Sequence, residues 1–164
     1  MKKPLIAAIC GVSNSGKTTL IKDLIAEFGR RGMRVAVIKH DGHDFECDIP
    51  GTDSYAFTEA GAYGAAVFSR NRIFVHKTGT GETEAALIGM FPEADILLIE
   101  GLKDSSYPKV ELVRAGISER PVSEPEGRFL LVTDLPAGSF DEPCLRFEET
   151  EKIASAILER CAKG

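Results

Sequence analysis

The sequence predicts an α/β domain on a mostly parallel sheet covered by helices on both faces, and three observations lead there. Short apolar runs alternate with stretches whose apolar residues recur at helical spacing. A glycine-rich pattern joins the first apolar run to the first such helix. Loops beginning at Gly11, Lys39 and Glu100 each follow an apolar run, so they start at strand ends, the edge where α/β sheets gather their ligands.

Leu5 to Cys10, bounded by Pro4 and Gly11, fits a strand buried on both faces. From Lys17 to Arg31 the residues Leu20, Ile21, Leu24, Ile25 and Phe28 form an apolar stripe, opposite Lys22, Asp23, Glu27, Arg30 and Arg31, and Gly32 ends the helix. Val35 to Ile38 reads as a second buried strand. The polar, acidic stretch from Lys39 to Pro50 leads to a helix over about Thr52 to Ala62, with Thr52 or Asp53 as its cap.

Ala65 to Ser69 and Ile73 to His76 read as strands joined in a hairpin through Arg70-Asn71-Arg72. A helical stretch over about Glu82 to Phe91 comes next, and Ile96 to Ile99 forms a buried strand ending at Glu100. Val110 to Val113 and Phe129 to Thr133 are further strands, separated by the proline-rich, acidic loop Pro121 to Gly127. Ile153, Ala154, Ala156, Ile157 and Cys161 supply the apolar face of a closing helix. There is no internal repeat.

With 164 residues, the chain is the size of one domain and can bury a core without disulfide or metal staples, so 1–164 reads as a single nucleotide-binding domain. Its 20 basic against 25 acidic side chains give a net charge of −5, and no basic run tracks a phosphate backbone; nucleic acid is not an expected partner. The four cysteines, Cys10, Cys47, Cys144 and Cys161, form no Cys-x-x-Cys pair and are expected as free thiols. No segment approaches the roughly 18 apolar residues of a membrane span, and the apolar N-terminal run is too short for a signal sequence. A cytoplasmic protein without membrane contact is expected.

Gly11-Val12-Ser13-Asn14-Ser15-Gly16-Lys17-Thr18 follows a strand and opens a helix, the setting a phosphate-binding loop requires. Gly11 and Gly16 let the backbone curl and turn its N–H groups toward phosphate oxygens, and the helix N-terminus adds its dipole. Lys17 reaches the β- and γ-phosphates, and the Thr18 hydroxyl is placed to ligate Mg²⁺. Ser13, Asn14 and Ser15 line the loop, and Thr19 is placed for the α-phosphate.

Asp95 to Glu100 has the shape of a strand delivering a carboxylate to its C-terminal end. Three roles are open to Glu100: holding Mg²⁺ through water, orienting an attacking water, or capping the turn at Gly101. The stretch Lys39-His40-Asp41-Gly42-His43-Asp44-Phe45-Glu46-Cys47-Asp48 gathers two histidines, three aspartates, a glutamate and a cysteine. Its spacing does not match a common structural zinc site. A switch loop beside a triphosphate, with Asp48 or Asp41 as a further Mg²⁺ contact, and a plain solvated acidic loop are its other readings.

In several separated blocks the chain resembles the molybdopterin-guanine dinucleotide biosynthesis protein B (MobB) family. These are the loop Gly11 to Thr18, Ile38-Lys39-His40 with His43, Asp48-x-Pro50-Gly51-x-Asp53-Ser54, Ala60-Gly61-Ala62 and Glu100-Gly101-Leu102-Lys103, spanning about Leu5 to Lys103. The family's last block usually carries an aromatic where Leu102 stands. The resemblance implies a dimeric GTP-binding protein, with Mg²⁺ and slow GTPase activity, that assists a MobA-type molybdenum cofactor guanylyltransferase in attaching GMP to molybdopterin. It places Lys39 with the loop residues among the nucleotide-binding positions, and raises molybdopterin itself as a ligand.

An Asn-Lys-x-Asp base-reading sequence is absent, and the nearest remnant is Val132-Thr133-Asp134. Asp134 has two readings, an acceptor for the guanine N1 and N2 protons or a strand-end turn aspartate. Two functions compete with the GTP-dependent accessory role. One is a small-molecule kinase, against which stands the lack of an arginine-rich lid segment; the other is a nucleotide switch with Lys39 to Ser54 as its mobile element.

Overall fold

The computed structural model describes residues 3–42, 45–78 and 83–163. They form two compact units, Met1–His40 with Ala85–Gly164, and Asp41–Glu84.

The first unit is built on a six-stranded sheet in the order β2-β5-β1-β6-β7-β8, in which every neighbouring pair is parallel. Its strands are β1 (Leu5–Cys10), β2 (Val35–Lys39), β5 (Ile96–Glu100), β6 (Lys109–Val113), β7 (Arg128–Thr133) and β8 (Cys144–Leu145). The two-residue β8 carries too little pattern to be read from sequence. Alternate residues of each strand face opposite sides of the sheet. Ala7, Ile9, Ile96, Leu98, Val110, Leu112, Leu130 and Val132 face one side, in a single cluster with Leu20, Leu24 and Phe28 of α1 (Lys17–Arg30) and Ile153, Ala154 and Ile157 of α4 (Thr150–Cys161). The parallel α/β fold is the one the alternating pattern predicts.

Three details depart from the sequence expectation. On α1 Glu27 is buried on the supposedly solvated face, where its carboxylate takes Nε–H of Arg31 at 2.7 Å and pairs with Arg30. Ile25 lies at the rim of the apolar stripe and stays 38% exposed. Val35 to Ile38, read as a buried strand, is only partly covered because β2 is an edge of the sheet.

The opposite side of β6 is polar yet buried. Lys109, 0% exposed, donates from Nζ to the carbonyls of Lys103 (3.1 Å) and Ser105 (2.6 Å). Glu111, 1% exposed, accepts the N–H groups of Val122 and Ser123 and the Ser123 hydroxyl, with Arg128 Nη1 at 3.5 Å. Charges leave water only when such partners replace it. These partners tie the chain after Glu100 and the Pro121 to Gly127 loop to the central strand. The two loops meet closely at Gly127, whose φ is +78° and where a Cβ would collide with the Tyr107 carbonyl oxygen.

The second unit holds α2 (Asp53–Glu59) and a separate antiparallel hairpin, β3 (Gly64–Phe68) with β4 (Ile73–Lys77). Ser69 N–H donates to the Arg72 carbonyl at 2.8 Å, closing the hairpin at the expected turn. Thr52 is the α2 cap, its hydroxyl accepting from Tyr55 N–H at 3.4 Å. Within Glu84–Ile88 lies the short helix α3; Glu82, where its start is expected, is outside the described residues. Among the described residues no helix is long and apolar enough to cross a membrane.

Candidate functional site

The parallel sheet sets the site, because β1 is central and its loop rises from the C-terminal edge between β5 and β6. Gly11 leaves the strand at φ +138°, and a Cβ there would stand 2.7 Å from Ser15 Oγ and 2.9 Å from the Leu112 carbonyl. Only glycine fits a position that combines that angle with that crowding. Asn14 reverses the loop at φ +61°, an angle asparagine tolerates better than most residues. Ser15 is buried beneath the loop.

Lys17 opens α1 and folds back over the loop, its Nζ donating to the carbonyls of Gly11 (3.0 Å) and Val12 (2.8 Å). An ammonium has three N–H donors, so one remains for a ligand while two hold the loop in shape. Ser13, Asn14, Gly16, Lys17, Thr18 and Thr19 form one wall of a cavity of about 410 Å³, completed by Glu100 and Arg114. Its walls carry two cations against one carboxylate.

Glu100 is delivered by β5, in register with Ile9 of β1 and Lys39 of β2, and its backbone carbonyl accepts His40 N–H at 3.0 Å. Gly101 follows at φ +103° and Leu102 at φ +54°, an uncommon angle for a side chain without local hydrogen-bonding capacity. The Gly101 carbonyl is gripped from below by the Cys10 thiol, at 3.1 Å. Burial, followed by the nearby Glu111 carboxylate, pushes that thiol up to about 12.

Some expected residues of the first unit do not line this cavity. Lys39 ends β2 beside Glu100 but does not line it. Asp48 belongs to the second unit, where its Oδ1 accepts from Ile49 N–H (2.8 Å) and the Ser54 hydroxyl (3.1 Å), while its Oδ2 is buried without a hydrogen bond among the described residues. At the end of β7, Asp134 Oδ1 accepts Ala115 N–H at 2.7 Å and Oδ2 stands 3.9 Å from Arg114 Nε. His43 and Asp44 lie outside the described residues; among those described, no group of three or more His, Cys, Asp or Glu side chains is arranged to hold a metal.

Arg114 is the wall residue that the sequence did not reveal. It stands one position past β6, at the edge where Gly11 and Glu100 also emerge, and an arginine at a strand end carries no local signature. Its guanidinium carbon sits 4.2 Å from the centre of the Phe147 ring.

A parallel α/β sheet with a glycine-rich loop leading from its central strand into a helix defines a protein of the phosphate-loop NTPase fold. Within that class the chain belongs to the MobB family: the family model for molybdopterin guanine dinucleotide synthesis protein B matches residues 6–134. It is 33% identical over 163 residues to the molybdopterin-guanine dinucleotide biosynthesis adapter protein of Escherichia coli K12, covering 95% of this chain and 92% of that one. The adapter protein of the same name from Haemophilus influenzae is 32% identical, over 94% of this chain and 87% of its own length. The crystal structure of Bacillus subtilis MobB superposes with a TM-score of 0.73 at 24% identity, covering 94% of this chain and 96% of that chain. The MobB homolog of Bacillus stearothermophilus does so at 0.68 and 19%, covering 97% and 99%. These likenesses show the fold.

Proposed function

We propose that this chain is an adapter in molybdenum cofactor biosynthesis that binds GTP with Mg²⁺ at the Gly11 to Thr18 loop. In that role it assists a MobA-type guanylyltransferase in joining GMP to molybdopterin. The observation that carries the nucleotide part is the cavity in which the loop, the Lys17 ammonium and the Glu100 carboxylate face one another. Its size is within the usual range of ligand pockets, and its cationic excess fits a polyphosphate. The adapter role is supported by family membership and by the names of the bacterial relatives.

The residues fit the proposed cation. Thr18 and Glu100 offer hydroxyl and carboxylate oxygens on the walls of one cavity, the hard donors that Mg²⁺ takes together with phosphate oxygens and water. Lys17 neutralises charge on the β- and γ-phosphates. Glu100 orients the water that hydrolyses the γ-phosphate slowly, or holds the metal through water.

In this reading residues 1–164 act as one nucleotide-binding domain and assemble as a homodimer. Support for self-association comes from the second unit, whose hairpin exposes Phe68, Ile73 and Val75 on one face, with Phe57 exposed on α2. Apolar clusters of that kind usually mark protein contacts. The partner is tested with a purified MobA-type guanylyltransferase on a sedimentation gradient. Co-migration is expected with the wild type in GTP and Mg²⁺; absence of any complex, with or without nucleotide, would remove the adapter role.

A further inference from the structure

Arg114 enters the cavity from the flank opposite Glu100. The strand order places β5 on one side of β1 and β6 on the other, so the loop lies between the carboxylate and the guanidinium. Glu100 and Thr18 mark the metal side, where the β- and γ-phosphates belong. The other flank, where Thr19 continues α1, is the side of the α-phosphate and the sugar.

The guanidinium is held as though for a ligand. Phe147 supports one face at 4.2 Å. Toward the loop, Nη1 comes within 3.3 Å of the position a Gly16 Cβ would take, so the missing side chain leaves the guanidinium room beside the loop. Asp134 balances the charge at 3.9 Å, too far for a hydrogen bond, and Arg114 Nε is buried without a hydrogen-bond partner among the described residues. Guanidinium forks match phosphate oxygens in geometry as well as charge.

We propose that Arg114 binds the nucleotide directly, by a forked contact to the α-phosphate side of the triphosphate, and that Asp134 is the positioning residue that turns Arg114 toward the loop. This rests on the reading of Gly11 to Thr18 as a GTP site. It makes Arg114 a determinant of affinity shared by di- and triphosphates, distinct from the metal side, which senses the γ-phosphate. It also gives Asp134 a role independent of the base.

The test is a set of Mg²⁺-containing titrations of GTP, GDP and ATP against the whole protein and four variants, with circular dichroism confirming each fold. Arg114→Gln is expected to weaken GTP and GDP by a similar factor, about tenfold, as for loss of a charge-assisted hydrogen bond. Arg114→Lys keeps charge and stem but not the fork, so it should fall between and serves if the glutamine variant does not fold. Asp134→Asn should weaken GTP and ATP alike and leave their affinity ratio unchanged.

Wild-type affinity in Arg114→Gln, with binding lost in Lys17→Ala, would overturn the proposal while leaving the phosphate loop intact. Weakening of GTP alone would move the contact to the γ-phosphate and contradict the α-side assignment. If Asp134→Asn spares ATP and erases the preference for GTP, Asp134 reads the base and the positioning role is wrong. Undiminished binding in Lys17→Ala, or none in the wild type, would remove the underlying site and the proposal with it.

Discussion

Four thiols of one chemistry behave differently according to where the fold puts them. Cys10 and Cys161 sit against the sheet with their thiols on the carbonyls of Gly101 and Ile6, both at 3.1 Å. Burial pushes Cys10 up to about 12 and Cys161 up to about 11. Cys47 and Cys144 are exposed. Since the thiolate is the nucleophile, iodoacetamide at pH 8 should alkylate Cys47 and Cys144 in the folded protein and spare Cys10 and Cys161 until denaturant is added. Peptide mass mapping reads this directly, and modification of Cys10 in native protein would contradict the packing of β1 against Gly101. At this scale the loop residues were legible, because a phosphate cradle constrains residue types at fixed spacing. Arg114 was not, because its place in the cavity wall depends on a strand neighbour distant in sequence.

Among the elements, β6 carries more than its short length indicates. Its sequence, Lys109-Val110-Glu111-Leu112-Val113, alternates as a half-exposed strand would, yet every residue is buried. The periodicity correctly announced a strand but not its surroundings, since the loops that cover Lys109 and Glu111 have no regular pattern of their own. Truncating one member of such a network leaves the others unpaired. Glu111→Ala should therefore cost about 3–5 kcal/mol of stability. Glu111→Gln should cost less, because an amide oxygen still accepts from the Val122 and Ser123 N–H groups. Urea denaturation measures both, and a loss below about 1 kcal/mol for the alanine variant would mean that these loops do not depend on Glu111. Every strand except β8, together with α1, α4 and the hairpin turn, was legible from apolar spacing and glycine placement. The burial of Glu27 was not, because Arg30 and Arg31 neutralise it locally.

For the whole molecule, the parallel sheet brings the loop of β1, Glu100 of β5 and Arg114 of β6 to one edge, and that convergence is what makes the chain a nucleotide adapter in our reading. The second unit contributes an exposed apolar hairpin, suited to contact with another protein chain. The central claim is that the Gly11 to Thr18 loop holds GTP, and isothermal titration of GTP and ATP in Mg²⁺, against wild type and Lys17→Ala, tests it most directly. The account predicts saturable GTP binding tighter than ATP binding in the wild type, and at least a tenfold loss of GTP affinity when the Lys17 charge is removed. Tighter binding of ATP than of GTP, or GTP affinity unchanged by Lys17→Ala, would contradict it.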